Sequence, residues 1–258
     1  MRIALQIVNL GQTGFRFEFE GTVIFIDLYL SNSVQEKESE DLVRMQAIPI
    51  QPAEVTDADW VLLTHEHRDH CDIETLLPIS IASKGCRFLG PPDVVRTLKE
   101  AGIDQERILT AEFGVAQPLS EDWIVHPIPS AHPELDRDAK GRFRCLGYVM
   151  QSGNQTIYHA GDTSVDQEII NAVKRIGEID IAFLPVNERN WFLDRCGIIG
   201  NMSIREAFQF AEEIGARTLV PTHWDMFQVN SVFREEIEFL HTKLSSKFTL
   251  SFDPDISF

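Results

Sequence analysis

The segment Thr64–His70, which reads Thr-His-Glu-His-Arg-Asp-His, constrains this chain more than any other feature of its sequence. It holds three of the eight histidines and an aspartate, and it directly follows the apolar, β-rich run from Trp60. Side chains at i and i+2 of an extended backbone lie on one side, so His65 and His67 reach the same ion. Imidazole and carboxylate groups are ligands for Zn²⁺, Mn²⁺ and Fe²⁺. The segment therefore predicts a metal site at the end of a strand and argues against a merely solvated polar loop.

The remaining pattern predicts a layered fold of strands and helices. Phe15, Phe17 and Phe19 alternate with charged residues, which is typical of a half-buried strand in an early hairpin. The polar stretch 31–57 is predicted to be a long loop with one short helix, after which strands alternate with helices. This order favours an α/β (α+β) domain with sheets inside and helices outside, and we predict one domain over residues 1–258. A four-layer αββα sandwich is compatible with the pattern but is not selected by it.

The charge and the hydropathy of the sequence indicate which classes of molecule this protein can bind. The formal net charge is −17, from 40 acidic and 23 basic residues, and such a surface repels a phosphate backbone. We therefore expect no nucleic-acid partner and a small-molecule substrate instead. No apolar run approaches the ~20 residues that span a bilayer, and the start of the sequence does not resemble a signal peptide. The four scattered cysteines form no Cys-x-x-Cys pair, so we expect reduced thiols, a cytoplasmic protein and no membrane partner.

The segment His65–His70 resembles the H-x-H-x-D-H signature of the metallo-β-lactamase superfamily. The resemblance implies a four-layer αββα sandwich with two mixed β-sheets and a site for two metal ions. It also implies that a further histidine, an aspartate and a last histidine follow later strands, and this chain offers candidates in that order. The implied metal ligands are His65, His67, Asp69, His70, His132, Asp162 and His223, with Asp162 as the bridging carboxylate.

Three other histidines have competing interpretations. His126 is the alternative to His132, but it lies within a predicted strand, and ligands cluster where strands open into loops, so we favour His132. His159 precedes the Gly-Asp element of Asp162, and we expect it to orient ligands through hydrogen bonds from outside the metal shell. His241 lies in the last predicted helix, and we expect it at the surface.

Several further segments resemble the L-ascorbate-6-phosphate lactonase-like group of metal-dependent hydrolases. They are residues 11–15, 26–31, 185–192, 200–202 and 221–227, so the resemblance extends over most of the chain. Within these segments, Asn187, Arg189 and Asn201 are candidates for substrate contacts, with a structural loop network as the alternative. Arg189 carries a rigid fork of donors suited to a phosphate or carboxylate.

The resemblance implies hydrolysis with one or two divalent ions per chain, Mn²⁺ or Zn²⁺, with Fe²⁺ also compatible. A hydroxide held by two such ions attacks a carbonyl that one ion polarises. Asp69 is our candidate for the catalytic proton shuttle as well as a ligand. We expect a lactonase-like carboxylic-ester hydrolase that opens a small sugar lactone, with or without a phosphate. The alternatives are a small-molecule phosphodiesterase and a non-catalytic metal- or ligand-binding protein, and a homo-oligomer stays open.

Overall fold

The computed structural model describes residues 5–252, so the ends of the predicted domain, 1–4 and 253–258, lie outside the described residues. The strands form two mixed sheets. The first sheet contains, in spatial order, β1 (Gln6–Gly11), β2 (Gly14–Phe19), β3 (Thr22–Ile26), β4 (Trp60–Leu62), β5 (Arg87–Gly90) and β6 (Ile108–Thr110). The second contains β13 (Thr249–Leu250), β12 (Thr218–Thr222), β11 (Ile181–Pro185), β10 (Gln155–His159), β9 (Leu146–Ser152), β8 (Trp123–Pro129) and β7 (Gln117–Pro118).

Each sheet combines antiparallel and parallel pairing. In the first, β1 to β3 form an antiparallel meander, and the strands from β3 to β6 run parallel. In the second, β7 to β10 are antiparallel, and the strands from β10 to β13 run parallel. The short strands β5 and β6 were not predicted, because four and three residues are too few to display an alternation.

Seven α-helices accompany the two sheets within residues 5–252. They are α1 (Ser33–Lys37), α2 (Ile73–Ala82), α3 (Pro92–Glu100), α4 (Gln167–Ile176), α5 (Trp191–Arg195), α6 (Ile204–Glu213) and α7 (Arg234–Leu244). A capping box of Ser203 and Glu206 starts α6, with both reciprocal hydrogen bonds present. The long polar stretch contains α1 and a 3-10 turn, Pro52–Glu54, as the sequence indicates. None of the helices within these residues is long and apolar enough to cross a membrane.

Three apolar clusters separate four layers. Between the sheets, Phe15 and Phe17 of β2 pack on Phe183 of β11, with ring centroids 4.4 and 5.7 Å apart. A second cluster joins α2 and α3 to the outer face of the first sheet. A third joins α4, α6 and α7 to the outer face of the second. The predicted αββα sandwich is therefore confirmed, since both sheets bury both of their faces.

Candidate metal centre

The predicted histidines and aspartates converge where strands of the two sheets end. His65 follows β4, His132 follows β8, Asp162 follows β10, and His223 follows β12. Strands β10, β11 and β12 are parallel to one another. Strand β9 is antiparallel to both β10 and β8, so β8 runs in the same direction as β10. The loops after these strands therefore open on the same edge of the sandwich, where the six-residue segment from His65 also lies.

A first cluster consists of His65, His67 and His132. Their ring centroids lie 4.6 to 5.1 Å apart, and Nε2 of His132 is 3.2 Å from Nδ1 of His67. His126 lies elsewhere, on β8, with Nε2 3.1 Å from Oε1 of Gln151. The structure thus places the favoured His132, and not His126, beside the two motif histidines.

A second cluster consists of Asp69, His70 and His223. Nε2 of His223 is 3.2 Å from Oδ2 of Asp69, and the ring of His70 lies near that of His223. Asp162 stands between the clusters: Oδ1 is 3.3 Å from Nε2 of His70, and Oδ2 is 3.3 Å from Nε2 of His223 and 3.8 Å from Nε2 of His132. One carboxylate therefore faces both clusters.

Asp27, which the sequence analysis did not single out, fixes the segment that begins at Thr64. It is fully buried after β3 and accepts hydrogen bonds from the backbone N–H of Thr64 (2.8 Å) and from its hydroxyl (2.6 Å). Its Oδ2 also lies 2.9 Å from Nδ1 of His70. A carboxylate in this position holds the proton on Nδ1 and leaves Nε2 of His70 to face the site. The available sequence signal was an aspartate at the end of a buried strand.

Gln12 is a second residue that sequence reasoning missed. It occupies the hairpin between β1 and β2 with φ of +58° and is almost fully buried. Its Nε2 lies 2.6 Å from Oδ2 of Asp69 and 3.0 Å from Nε2 of His223. The side chain of Gln12 thus forms one wall of the second cluster, although it lies 57 residues before Asp69 in the chain.

Gly161 permits the turn that carries Asp162 into the site. Its φ is +61°, which L side chains rarely adopt, and a Cβ on this residue would lie 2.7 Å from Cβ of Thr64. The loop after β10 therefore packs directly against the start of the histidine segment, and only glycine fits between them.

His159 lies beneath the site, outside the two clusters. It is buried, its Nε2 lies 2.9 Å from the carbonyl oxygen of Thr13, and its Nδ1 accepts a hydrogen bond from the N–H of Gly161. His159 thus connects the hairpin that carries Gln12 to the loop of Asp162. His241 is half-buried rather than at the surface as expected, because its Nε2 bonds the carbonyl oxygen of Phe248 across the end of α7.

The two clusters differ in their electrostatics. Burial lowers the pKa of His65 well below its usual value and that of His132 to about 4, so both rings are neutral and keep a free lone pair. Burial also lowers the pKa of His70 and of His223, but the nearby carboxylates of Asp162 and Asp69 raise the pKa by more than burial lowers it. They raise the pKa of His70 well above its usual value and that of His223 to about 10. The second cluster is therefore a place where buried carboxylates attract positive charge.

The donor atoms of these clusters fit a divalent metal. Four buried atoms of the site make no hydrogen bond: Nε2 of His65, Nε2 of His70, Nδ1 of His132 and Oδ1 of Asp162, although the second and the last of these lie 3.3 Å apart. Buried polar atoms are normally paired, because leaving one unpaired costs roughly 1–3 kcal/mol. Three sets of ligand atoms lie mutually within 4.8 Å: His65–His67–His132, His65–His70–Asp162 and Asp69–His70–His223. Nitrogen and oxygen donors of this kind suit Zn²⁺, Mn²⁺ and Fe²⁺.

The three candidates for substrate contact fall in different places. Asn187 and Asn201 are buried, and Nδ2 of Asn201 donates to Oδ1 of Asn187 (3.0 Å). Nδ2 of Asn187 in turn donates to Oδ1 of Asn230 (3.1 Å), which lines the cavity over the metal centre. Arg189 is exposed and is not part of the cavity lining, and its backbone N–H bonds the carbonyl oxygen of Asn201.

Comparison with known proteins agrees with this architecture. The chain is 26% identical over 223 residues to a metal-dependent hydrolase of Pyrobaculum neutrophilum, covering 86% of this chain and 85% of that protein. It is 29% identical over 192 residues to a metal-dependent hydrolase of Pyrococcus horikoshii, covering 72% of this chain and 76% of that protein.

Among solved structures, an isothiocyanate hydrolase from Delia radicum gut bacteria aligns with a TM-score of 0.73 at 17% identity, covering 95% of both chains. A metallo hydrolase from Ignicoccus hospitalis aligns with a TM-score of 0.70 at 19% identity, covering 96% of this chain and 94% of that one. At these identities the structures share the fold. The model of the β-lactamase superfamily domain matches residues 26–224, which include every residue of the two histidine and aspartate clusters. The chain therefore belongs to the metallo-β-lactamase superfamily, as the H-x-H-x-D-H segment predicts.

Proposed function

We propose that this protein is a metal-dependent hydrolase that opens a small carboxylic ester, with a lactone as the favoured substrate. The observation that carries the proposal is the convergence on one site of histidine and aspartate ligand atoms from four separate loops, with four buried nitrogen and oxygen atoms of these residues left unpaired. Such an arrangement costs stability unless a cation completes it.

Two divalent ions fit the donor set, one in each cluster. The first cluster supplies the neutral imidazoles of His65, His67 and His132, and the second supplies Asp69, His70 and His223. Asp162, which contacts both clusters, is the proposed bridging ligand. Bound divalent ions lower the pKa of a water molecule toward neutrality and polarise a carbonyl oxygen.

Asp69 is the proposed proton carrier. It lines the cavity, and its contacts with Gln12, His70 and His223 all use Oδ2. Oδ1 is therefore the atom that remains available to take a proton from the attacking water and return it to the leaving alkoxide. Gln12 orients this carboxylate by donating to Oδ2, the same oxygen that lies 3.2 Å from Nε2 of His223.

Asp27 and His159 keep the reacting groups in place without touching the substrate. Asp27 fixes the tautomer of His70, and His159 connects the loops of Thr13 and Gly161. Groups of this kind matter because a displacement of about 1 Å at a catalytic centre costs on the order of 100-fold in rate.

The proposal is tested with metal-stripped protein reloaded separately with Mn²⁺, Zn²⁺ and Fe²⁺. Turnover is measured on simple lactones, sugar lactones, phosphorylated sugar lactones and a chromogenic bis-aryl phosphodiester. We expect metal-dependent opening of lactones that is absent from the His65→Ala/His67→Ala double variant. Preferential cleavage of the phosphodiester would favour the phosphodiesterase alternative. Metal binding without turnover of any substrate would favour a binding protein.

A further inference from the structure

The cavity over the metal centre is small and has apolar walls. Its volume is about 210 Å³, below the roughly 300–1,000 Å³ typical of sites for drug-sized ligands. Besides the site residues at its floor, it is lined by Val34, Leu42, Ile198, Ile199, Phe227, Gly197, Glu38 and Asn230. No lysine or arginine belongs to this lining among residues 5–252. A substrate that reaches the floor therefore lies against aliphatic and aromatic side chains.

Arg68 and Arg189, the basic residues of the histidine segment and of the segment 185–192, do not line the cavity. Arg68, inside the histidine segment, is paired with Glu38 at the rim, with Nε 3.1 Å from Oε1. Arg189 is exposed, outside the lining. A phosphate buried against these walls, away from the metal ions proposed at the floor, would lose water without gaining a paired cation, which is costly, and Glu38 would repel it.

One neutral polar side chain, that of Asn230, stands in the wall. It is 8% exposed and is held from behind by the chain of amides that runs through Asn187 to Asn201. Because Oδ1 of Asn230 accepts the bond from Asn187, its Nδ2 is left as a donor for an acceptor on the substrate. Both supporting amides are 1% exposed, so the orientation of Asn230 is fixed before a substrate binds.

We propose that the site selects an uncharged lactone or ester with a short apolar substituent, rather than a phosphorylated sugar lactone. The substituent lies on the wall of Ile198 and Phe227, and Asn230 donates a hydrogen bond to an uncharged oxygen of the substrate. This inference rests on the proposed hydrolase function and specifies its substrate class.

The test compares three lactones on the metal-loaded protein: unsubstituted γ-butyrolactone, the same ring with a two-carbon alkyl substituent, and a phosphorylated sugar lactone. We expect kcat/KM to rise roughly tenfold or more with the alkyl group, since burial of even one methylene discriminates by about that factor. We expect the phosphorylated lactone to be the poorest of the three.

Three variants locate the selectivity. Ile198→Lys should erase the alkyl preference and raise kcat/KM for the phosphorylated lactone by roughly tenfold, because it adds a cation to the wall. Ile81→Lys adds the same charge on α2, where Ile81 is 67% exposed, and should change neither preference. Arg189→Ala tests whether Arg189 binds the phosphate of the phosphorylated lactone. If the cavity alone selects the substrate, KM for this lactone does not change in the variant. If Arg189 binds the phosphate, KM rises.

A binding measurement separates failure of this inference from failure of the proposed function. Titration calorimetry with the alkyl-substituted γ-lactam, an uncharged analogue that resists hydrolysis, requires no turnover. Tighter binding of the alkyl lactam than of the unsubstituted lactam, lost in Ile198→Lys, supports the cavity assignment even if no ester is cleaved. A preference for the phosphorylated lactone that disappears in Arg189→Ala would overturn the inference and leave the hydrolase proposal standing. Absence of lactam binding would overturn it as well.

Discussion

Replacing Asp27 by asparagine should weaken metal binding while leaving the fold intact. The buried carboxylate accepts three hydrogen bonds, two from Thr64 and one from Nδ1 of His70. An amide of nearly the same shape keeps one oxygen for Thr64 but turns an N–H₂ group toward His70. Nδ1 of His70 must then lose its proton to accept that bond, and the proton moves to Nε2, the atom that faces the metal site.

These contacts determine how much metal affinity and how much stability the Asp27→Asn variant should lose. A protonated Nε2 cannot donate a lone pair, so affinity for the ion of the second cluster should fall by roughly 10–100-fold, as for other residues that orient metal-bound histidines. The imperfectly paired buried groups should cost about 1–3 kcal/mol of unfolding free energy. For a chain of this size that corresponds to a decrease in Tm of roughly 2–4 °C per kcal/mol.

The assay combines metal titration by calorimetry with thermal unfolding of the metal-free protein. Asp72→Asn is the matched control, because Asp72 is equally buried and accepts bonds from the hydroxyls of Ser31 and Ser33 but from no residue of the metal centre. It should lose comparable stability and bind both ions as the unmodified protein does. Unchanged metal affinity in Asp27→Asn, or an equal loss in Asp72→Asn, would refute the assignment of Asp27 as the group that orients His70.

Three other changes test the site. The double variant His65→Ala/His67→Ala should bind one ion fewer by elemental analysis and keep its circular dichroism spectrum, since it removes two ligands from a single cluster; two retained ions would contradict the ligand assignment. Gln12→Leu should lower kcat more than it raises KM, by roughly 10-fold or more, because Asp69 loses the donor that orients it; an unchanged kcat would exclude this role. Gly161→Ala should lower Tm and weaken metal binding together, since its φ is +61° and its Cβ would collide with the threonine that begins the histidine segment; an unaltered Tm would show that the loop relaxes at no cost.

The superfamily and the clustering of its signature residues were predictable from the sequence, because the information is local. A strand followed by His-x-His-x-Asp-His places ligands within one turn, whatever the rest of the chain does. His132, Asp162 and His223 were identified through family order and their positions after strands, and the structure places all three beside the motif. The alternation of Phe15, Phe17 and Phe19 with charged residues likewise predicted the strand β2 of the early hairpin.

The residues around the ligands depended on tertiary structure. Gln12 lies 57 residues before Asp69 and 211 before His223, and only the pairing of the two sheets brings its hairpin to the site. Asn187 and Asn201, candidates for substrate contact with a structural loop network as the alternative, hydrogen-bond to each other and to Asn230, which no local pattern indicates. Arg189, another candidate for substrate contact, is exposed and lies outside the cavity lining. Local sequence determines which groups can bind a metal, because side chains that are close in the chain are placed by one stretch of backbone. The shape and polarity of a cavity arise instead from segments that are far apart in the chain and meet only after the layers pack.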